Sequence, residues 1–251
     1  MSAATKERQE VEQVTILFSG DSGDGMQLIG SQFTTTSAMS GNDICTLPDY
    51  PSEIRAPAGS IAGVSAFQLS FSSRKIQAAG DGLDALVAMN PAALKVYLPR
   101  LVAGGVLVVD SDAFSKSNLR KAGYEKNPLD NPDLVTRFRL HVVPATSQTK
   151  AALKEIDLDA RSKRRCKNFF MLGLLYWLYD RPPEHSCEWV DKKFSRAPQI
   201  AAANRCALEA GYDYAEQGDS FGAQFQVPPA PAVPGEYRIC LLYTSPSPRD
   251  L

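Results

Sequence analysis

Val14-Thr15-Ile16-Leu17-Phe18-Ser19-Gly20-Asp21-Ser22-Gly23-Asp24-Gly25-Met26-Gln27-Leu28-Ile29-Gly30 reads as a buried strand, a glycine-rich turn and the start of a helix. Val14, Ile16, Leu17 and Phe18 form an almost continuous apolar run, the pattern of a parallel strand covered on both faces. Gly20, Gly23 and Gly25 let the backbone bend where a Cβ would clash. Apolar residues then return at Met26, Ile29, Gly30 and Phe33, which suits a helix with one face on a sheet. Such a turn aims backbone N–H groups over the sheet edge, the usual place for a phosphate or another anion. The spacing is G-x-x-G-x-G, which is neither the G-x-G-x-x-G of dinucleotide binders nor a P-loop with its Lys-Ser/Thr pair. Asp21 and Asp24 would repel a phosphate unless paired or turned away. A tight β-to-α turn whose aspartates cap the helix is the plainer alternative.

The rest of the chain alternates in the same way. Val64–Phe71 is expected as a half-buried strand with Phe67, Leu69 and Phe71 on one face. Ala85–Ala88 is a short buried strand, followed by a helix capped by Asn90, with Pro91 at its first position, and running to about Leu101. Val106–Asp110 is the next strand, and Leu140–Pro144 a fifth. Asp110 sits at a strand end, where ligands gather in open α/β sheets, and Asp112 suits a helix cap. Gly41-Asn42 closes the first helix. This rhythm implies an α/β fold with an open, mostly parallel sheet flanked by helices.

Between them, residues 44–63 read as a long loop, because Pro48, Pro51 and Pro57 exclude a regular helix. Glu53 and Arg55 are its charged pair, each expected to find its own partner. A solvated surface loop is the alternative. Residues 163–180 read as the most apolar helix, with a basic start at Lys163, Arg164, Arg165 and Lys167. Positive charge at that end would oppose the helix dipole and so slightly favours an anionic partner such as a phosphate; a solvated helix start is the alternative. The uncharged part, Phe169–Tyr179, is too short for the roughly 20 residues that span a bilayer. It should lie in the core or under another subunit. Helices from about Glu188 to Phe194 and from Pro198 to Glu216 follow.

Composition excludes several classes. Net charge is −1 over 251 residues, which suggests neither nucleic acid nor an acidic membrane surface as partner. Cys45, Cys166, Cys187, Cys206 and Cys240 are scattered without a C-x-x-C pair, so no metal site is encoded locally. They read as reduced thiols in a cytoplasmic protein. Residues 1–12 read as a polar, solvated arm and not a signal peptide. The α/β domain spans 13–222, a Pro-rich linker spans 223–238, and 239–251 resemble translated sequencing-adapter read-through. A linker so placed is expected to lead to a further domain, missing here.

Three motifs in this order carry a family resemblance. They are the glycine turn, Pro48-Asp49-Tyr50-Pro51-Ser52-Glu53-Ile54-Arg55, and Lys167-Asn168-Phe169-Phe170-Met171-Leu172-Gly173-Leu174-Leu175. Together they resemble the Rossmann-like gamma domain of 2-oxoacid:ferredoxin oxidoreductases, in the form that precedes a thiamine-diphosphate-type domain in the 2-oxoglutarate α subunit. The resemblance implies CoA-dependent oxidative decarboxylation of a 2-oxoacid, with thiamine diphosphate and an iron–sulfur cluster held elsewhere in the complex. The implied partners are the β subunit, ferredoxin, the 2-oxoacid and coenzyme A. It further implies that Gly20, Gly23 and Gly25 shape an anion-facing turn with Ser22 as hydroxyl donor, and that Arg55 reaches an anionic ligand or a neighbouring subunit. The alternative is a stand-alone α/β module that binds coenzyme A or a nucleotide, or serves assembly, without catalysis of its own.

Overall fold

The computed structural model describes residues 6–50, 63–218 and 221–231. Its centre is a six-stranded sheet built from β2 (Gln13–Asp21), β3 (Asp43–Asp49), β4 (Val64–Ser72), β5 (Leu83–Ala88), β6 (Leu101–Asp110) and β7 (Arg139–Val143). The strand order is β3-β4-β2-β5-β6-β7. β2, β5, β6 and β7 are parallel neighbours, and β4 runs antiparallel between β3 and β2. The sheet is therefore mostly parallel, and helices cover both faces. β1 (Glu7–Glu10) pairs in parallel with β8 (Ala223–Gln226) in a separate ribbon.

The period-2 geometry of a strand explains how the two layers fill. Ile16 and Phe18 of β2 join one core with Met26, Ile29 and Phe33 of α1 (Met26–Met39) and the apolar side chains of α7 (Lys167–Leu178) and α9 (Pro198–Gln217). Leu17, between them, joins the second core with Leu86, Leu107 and Val109. There it meets Leu94 of α2 (Pro91–Tyr97), Leu119 of α3 (Lys116–Lys121) and Leu134 of α4 (Pro132–Arg137). The remaining helices are α5 (Ala145–Ala152), α6 (Ala160–Arg165) and α8 (Glu184–Lys193).

Several sequence expectations change. Part of the expected loop after Ile44 is an edge strand. β3 accommodates Pro48 because an edge strand need not donate on its outer side. β4 is buried along nearly its whole length, since helices cover both faces. The helix at Asn90 ends at Tyr97, and a 3-10 turn leads straight into β6. The arm contains β1, and Lys6 donates to the carbonyls of Ala215 and Gly218. The expected helix over 163–180 breaks at Cys166, which closes α6 and opens α7. Lys163, Arg164 and Arg165 therefore sit in the last turn of α6, where positive charge suits the dipole. The argument for an anionic partner at that cluster falls away. α7 lies deep in the core, with Asn168–Leu178 all buried.

Candidate functional site

Strand ends determine where the site lies. β2, β5, β6 and β7 run parallel, so their carboxyl ends share one edge of the sheet. The glycine turn leaves β2 there, Asn90 follows β5, Asp110 closes β6, and α5 begins just after β7. Open α/β sheets place ligands along this edge.

In the turn itself, Gly20 is buried, while Ser22 and Gly23 are exposed. A Cβ on Gly23 would meet nothing within 4 Å, so the turn is open at that point. Gly25 is the N-cap of α1 with φ 77°, a left-handed conformation that a side chain would strain. It also lies against the Asn168 amide. Helix geometry leaves the first N–H groups of α1 without intrahelical partners.

Neither aspartate caps α1 through its side chain. Asp24 folds back: its Oδ2 accepts from the Asp21 N–H at 3.1 Å, and its Oδ1 lies 3.1 Å from Lys167 Nζ. Asp21 Oδ1 accepts from Asn90 Nδ2 at 2.7 Å. Residue 21 is exposed as a whole, but its carboxyl turns toward Asn90. Desolvation first, and Asp24 second, hold that carboxyl above the usual range. Both aspartates are thus paired, the condition under which this loop tolerates an anion.

A second layer backs the turn. Asp110 is fully buried. Its Oδ2 accepts from Thr146 Oγ1 at 3.1 Å and lies 3.8 Å from Lys167 Nζ. Burial raises its carboxyl, while Lys167 and the Thr146 hydroxyl pull the other way. Asp112 Oδ2 accepts from the Ser147 N–H at 2.6 Å, so it caps the first turn of α5.

The structure brings Gly20, Ser22, Gly23 and Gly25 together at this edge. Arg55 and Glu53 lie outside the described residues. Sequence reasoning missed Asn90 and Lys167 as partners of the turn's aspartates. Their only signals were a cap motif and a lysine before an apolar run. No group of three or more His, Cys, Asp or Glu side chains suited to a metal occurs among the described residues. No described helix is long and apolar enough to cross a membrane.

Residues 15–214 match the pyruvate ferredoxin/flavodoxin oxidoreductase family. The chain belongs to that family. Its sequence is 49% identical over 235 residues to the 2-oxoglutarate oxidoreductase subunit KorA of Mycobacterium tuberculosis (strain ATCC 25618 / H37Rv), covering 94% of this chain. The chain spans 36% of the length of that relative. Among solved structures it resembles a 2-oxoglutarate:ferredoxin oxidoreductase from Magnetococcus marinus with 2-oxoglutarate, coenzyme A and succinyl-CoA bound. That match has a TM-score of 0.66 at 22% identity and covers 88% of this chain and 34% of the other. It also resembles the gamma subunit of a keto/oxoacid ferredoxin oxidoreductase from Geobacter sulfurreducens PCA. There the TM-score is 0.56 at 22% identity, covering 82% of this chain and 99% of the other. These structural likenesses establish the oxidoreductase gamma fold, as the motifs led one to expect.

Proposed function

We propose that this chain is the gamma-type portion of a catalytic subunit of a 2-oxoglutarate:ferredoxin oxidoreductase. It would work with a β subunit in the cytoplasm and be inactive alone. The reaction is CoA-dependent oxidative decarboxylation of 2-oxoglutarate to its acyl-CoA, with electrons passed to ferredoxin. The observation that carries this reading is the 49% identity to KorA over 235 residues.

Within that enzyme, the residues on the sheet edge fit part of coenzyme A. The exposed Gly23 leaves room for close approach, and Ser22 offers a hydroxyl donor. The start of α1 presents backbone N–H groups with the helix dipole behind them. Asp21 and Asp24 are held by Asn90 and Lys167, so they do not face an incoming anion unpaired. Coenzyme A supplies the thiol that takes the acyl group, and the turn's part is to bind and orient one of its anionic groups. Arg55 is the candidate for a second contact, with the ligand or with the neighbouring subunit.

The described residues do not fit an iron–sulfur cluster. Cys45, Cys166, Cys187 and Cys206 are free thiols on separate elements. Thiamine diphosphate and the cluster are assigned to other parts of the complex. The domain limits proposed are 13–222 for the α/β unit and 223–238 for a connection to a thiamine-diphosphate-type domain. Residues 239–251 are proposed to be non-native.

The test is reconstitution of the full-length subunit with its β subunit. Reduction of ferredoxin or methyl viologen that depends on both 2-oxoglutarate and coenzyme A is expected. No reduction with any 2-oxoacid would sink the assignment.

A further inference from the structure

Lys167 sits where the simple rules would not put it. A cation at a helix N-terminus is opposed by the helix dipole. Its side chain is only 14% exposed, so its ammonium has also lost much of its water. Two carboxylates compensate. Lys167 Nζ lies 3.1 Å from Asp24 Oδ1 and 3.8 Å from Asp110 Oδ2. Asp24 belongs to the glycine turn, and Asp110 ends β6. One ammonium at the head of a buried helix therefore joins the turn to the sheet edge. The other oxygen of Asp24 accepts from the Asp21 N–H. Whatever fixes Asp24 thereby fixes the backbone of the turn.

We infer that Lys167 is a positioning residue for the glycine turn: its ammonium holds the Asp24 carboxylate against the sheet edge, and Asp24 holds the turn in its open shape. This goes beyond the proposed function but rests on it for the claim that the open turn meets coenzyme A. The other charges facing the group are known. Asp21 is bonded to Asn90, and Asp112 caps α5 beside Asp110. Lys121 of α3 acts on Asp21. Without the ammonium, Asp24 faces Asp21 and Asp110 with no cation between them. Repulsion then drives Asp24 outward, into the space a ligand anion would use. The fold itself persists, because α7 is held by apolar burial from Phe169 to Leu178.

The test is amide hydrogen exchange on the full chain, read by mass spectrometry of peptides over residues 20–30. Lys167→Met should raise exchange there about tenfold, and Lys167→Arg should restore most of the protection. Asp24→Asn combined with Lys167→Met should exchange no faster than the faster single variant, because both break one linkage. Unchanged exchange in Lys167→Met, or additive effects in the double variant, would overturn the inference. If Lys167→Met does not fold, Asp24→Asn carries the test, since it leaves α7 intact. Its turn must then exchange about tenfold faster. In the assembled enzyme, Lys167→Met should raise the KM for coenzyme A about tenfold with little change in kcat. Faster exchange with an unchanged KM keeps the clamp and removes coenzyme A from the turn, so the two readings fail separately.

Discussion

Gly23 and Gly25 stand two residues apart in one turn, yet they answer to different constraints. Gly23 has open space where a Cβ would go, whereas Gly25 has φ 77° and the Asn168 amide against it. Gly23→Val should therefore melt like the parent while raising the KM for coenzyme A in the assembled enzyme. If it unfolds the domain instead, the turn is structural and the site reading is wrong. Gly25→Ala should cost about 1–2 kcal/mol from the left-handed backbone alone, read as a lower midpoint in urea. Asp110 gives a prediction in pH. Burial raises its carboxyl in the folded protein, so folding favours its protonated form. That contribution is complete below about pH 4, the unfolded value, and is lost as pH rises through the folded one. Asp110→Asn cannot lose it. The melting temperature of Asp110→Asn relative to the parent should therefore climb from pH 4 toward pH 7. A flat or falling difference would mean that Lys167 outweighs burial.

At the scale of elements, α7 and α9 pack through two glycines. A Cβ on Gly173 would lie 1.9 Å from the Leu208 carbonyl oxygen, and one on Gly211 would lie 1.9 Å from that of Phe170. Backbone meets backbone there, so neither side can yield by a rotamer change. Gly173→Ala and Gly211→Ala should each cost about 3 kcal/mol, at the upper end of ordinary overpacking. Urea denaturation of each variant checks this, and a cost under about 1 kcal/mol would mean the helices slide freely apart. The sequence made α7 legible as a core helix, because eleven uncharged residues leave no polar face. It also made the strands at Val14, Ala85 and Val106 legible, each being a short apolar run. The break at Cys166 was not legible, because Lys163–Lys167 carries no glycine or proline to mark it. β3 was hidden by Pro48, whose missing N–H matters only if the strand has a neighbour on that side. The turn could be read from its glycines. The lysine that anchors it could not, because Asp24 and Lys167 meet only when α7 reaches the sheet edge.

At the scale of the whole molecule, the segment leaving the domain is held more firmly than its prolines suggest. Residues 223–226 form β8 against β1, and Gln224 Nε2 donates to the buried Trp177 carbonyl at 2.9 Å. Asn42 Nδ2 then donates to the carbonyls of Val227 and Pro228, and the Ala230 N–H donates to the Gly41 carbonyl. Pro229 fills the space beside Gly41 that a Cβ would need. Behind Asn42 lies Arg181, buried and donating to the Asn42 side-chain oxygen, with its guanidinium over the Phe71 ring. Burial pulls that guanidinium down to about 10, still charged at neutral pH. A buried cation that depends on a neutral amide is sensitive to the loss of that amide. Asn42→Ala removes two bonds to the exit segment and a partner of Arg181 in one step. It should cost about 1–3 kcal/mol, the penalty for leaving buried polar groups unsatisfied. It should also raise amide exchange over 223–231 well above that of β5 and β6. Asn42→Ala together with Arg181→Met should recover part of the stability, because no buried charge is then stranded. If the double variant is as unstable as the sum of the two singles, Arg181 does not act through Asn42. The bonds from Asn42 and Gly41 would then hold the exit segment independently of Arg181.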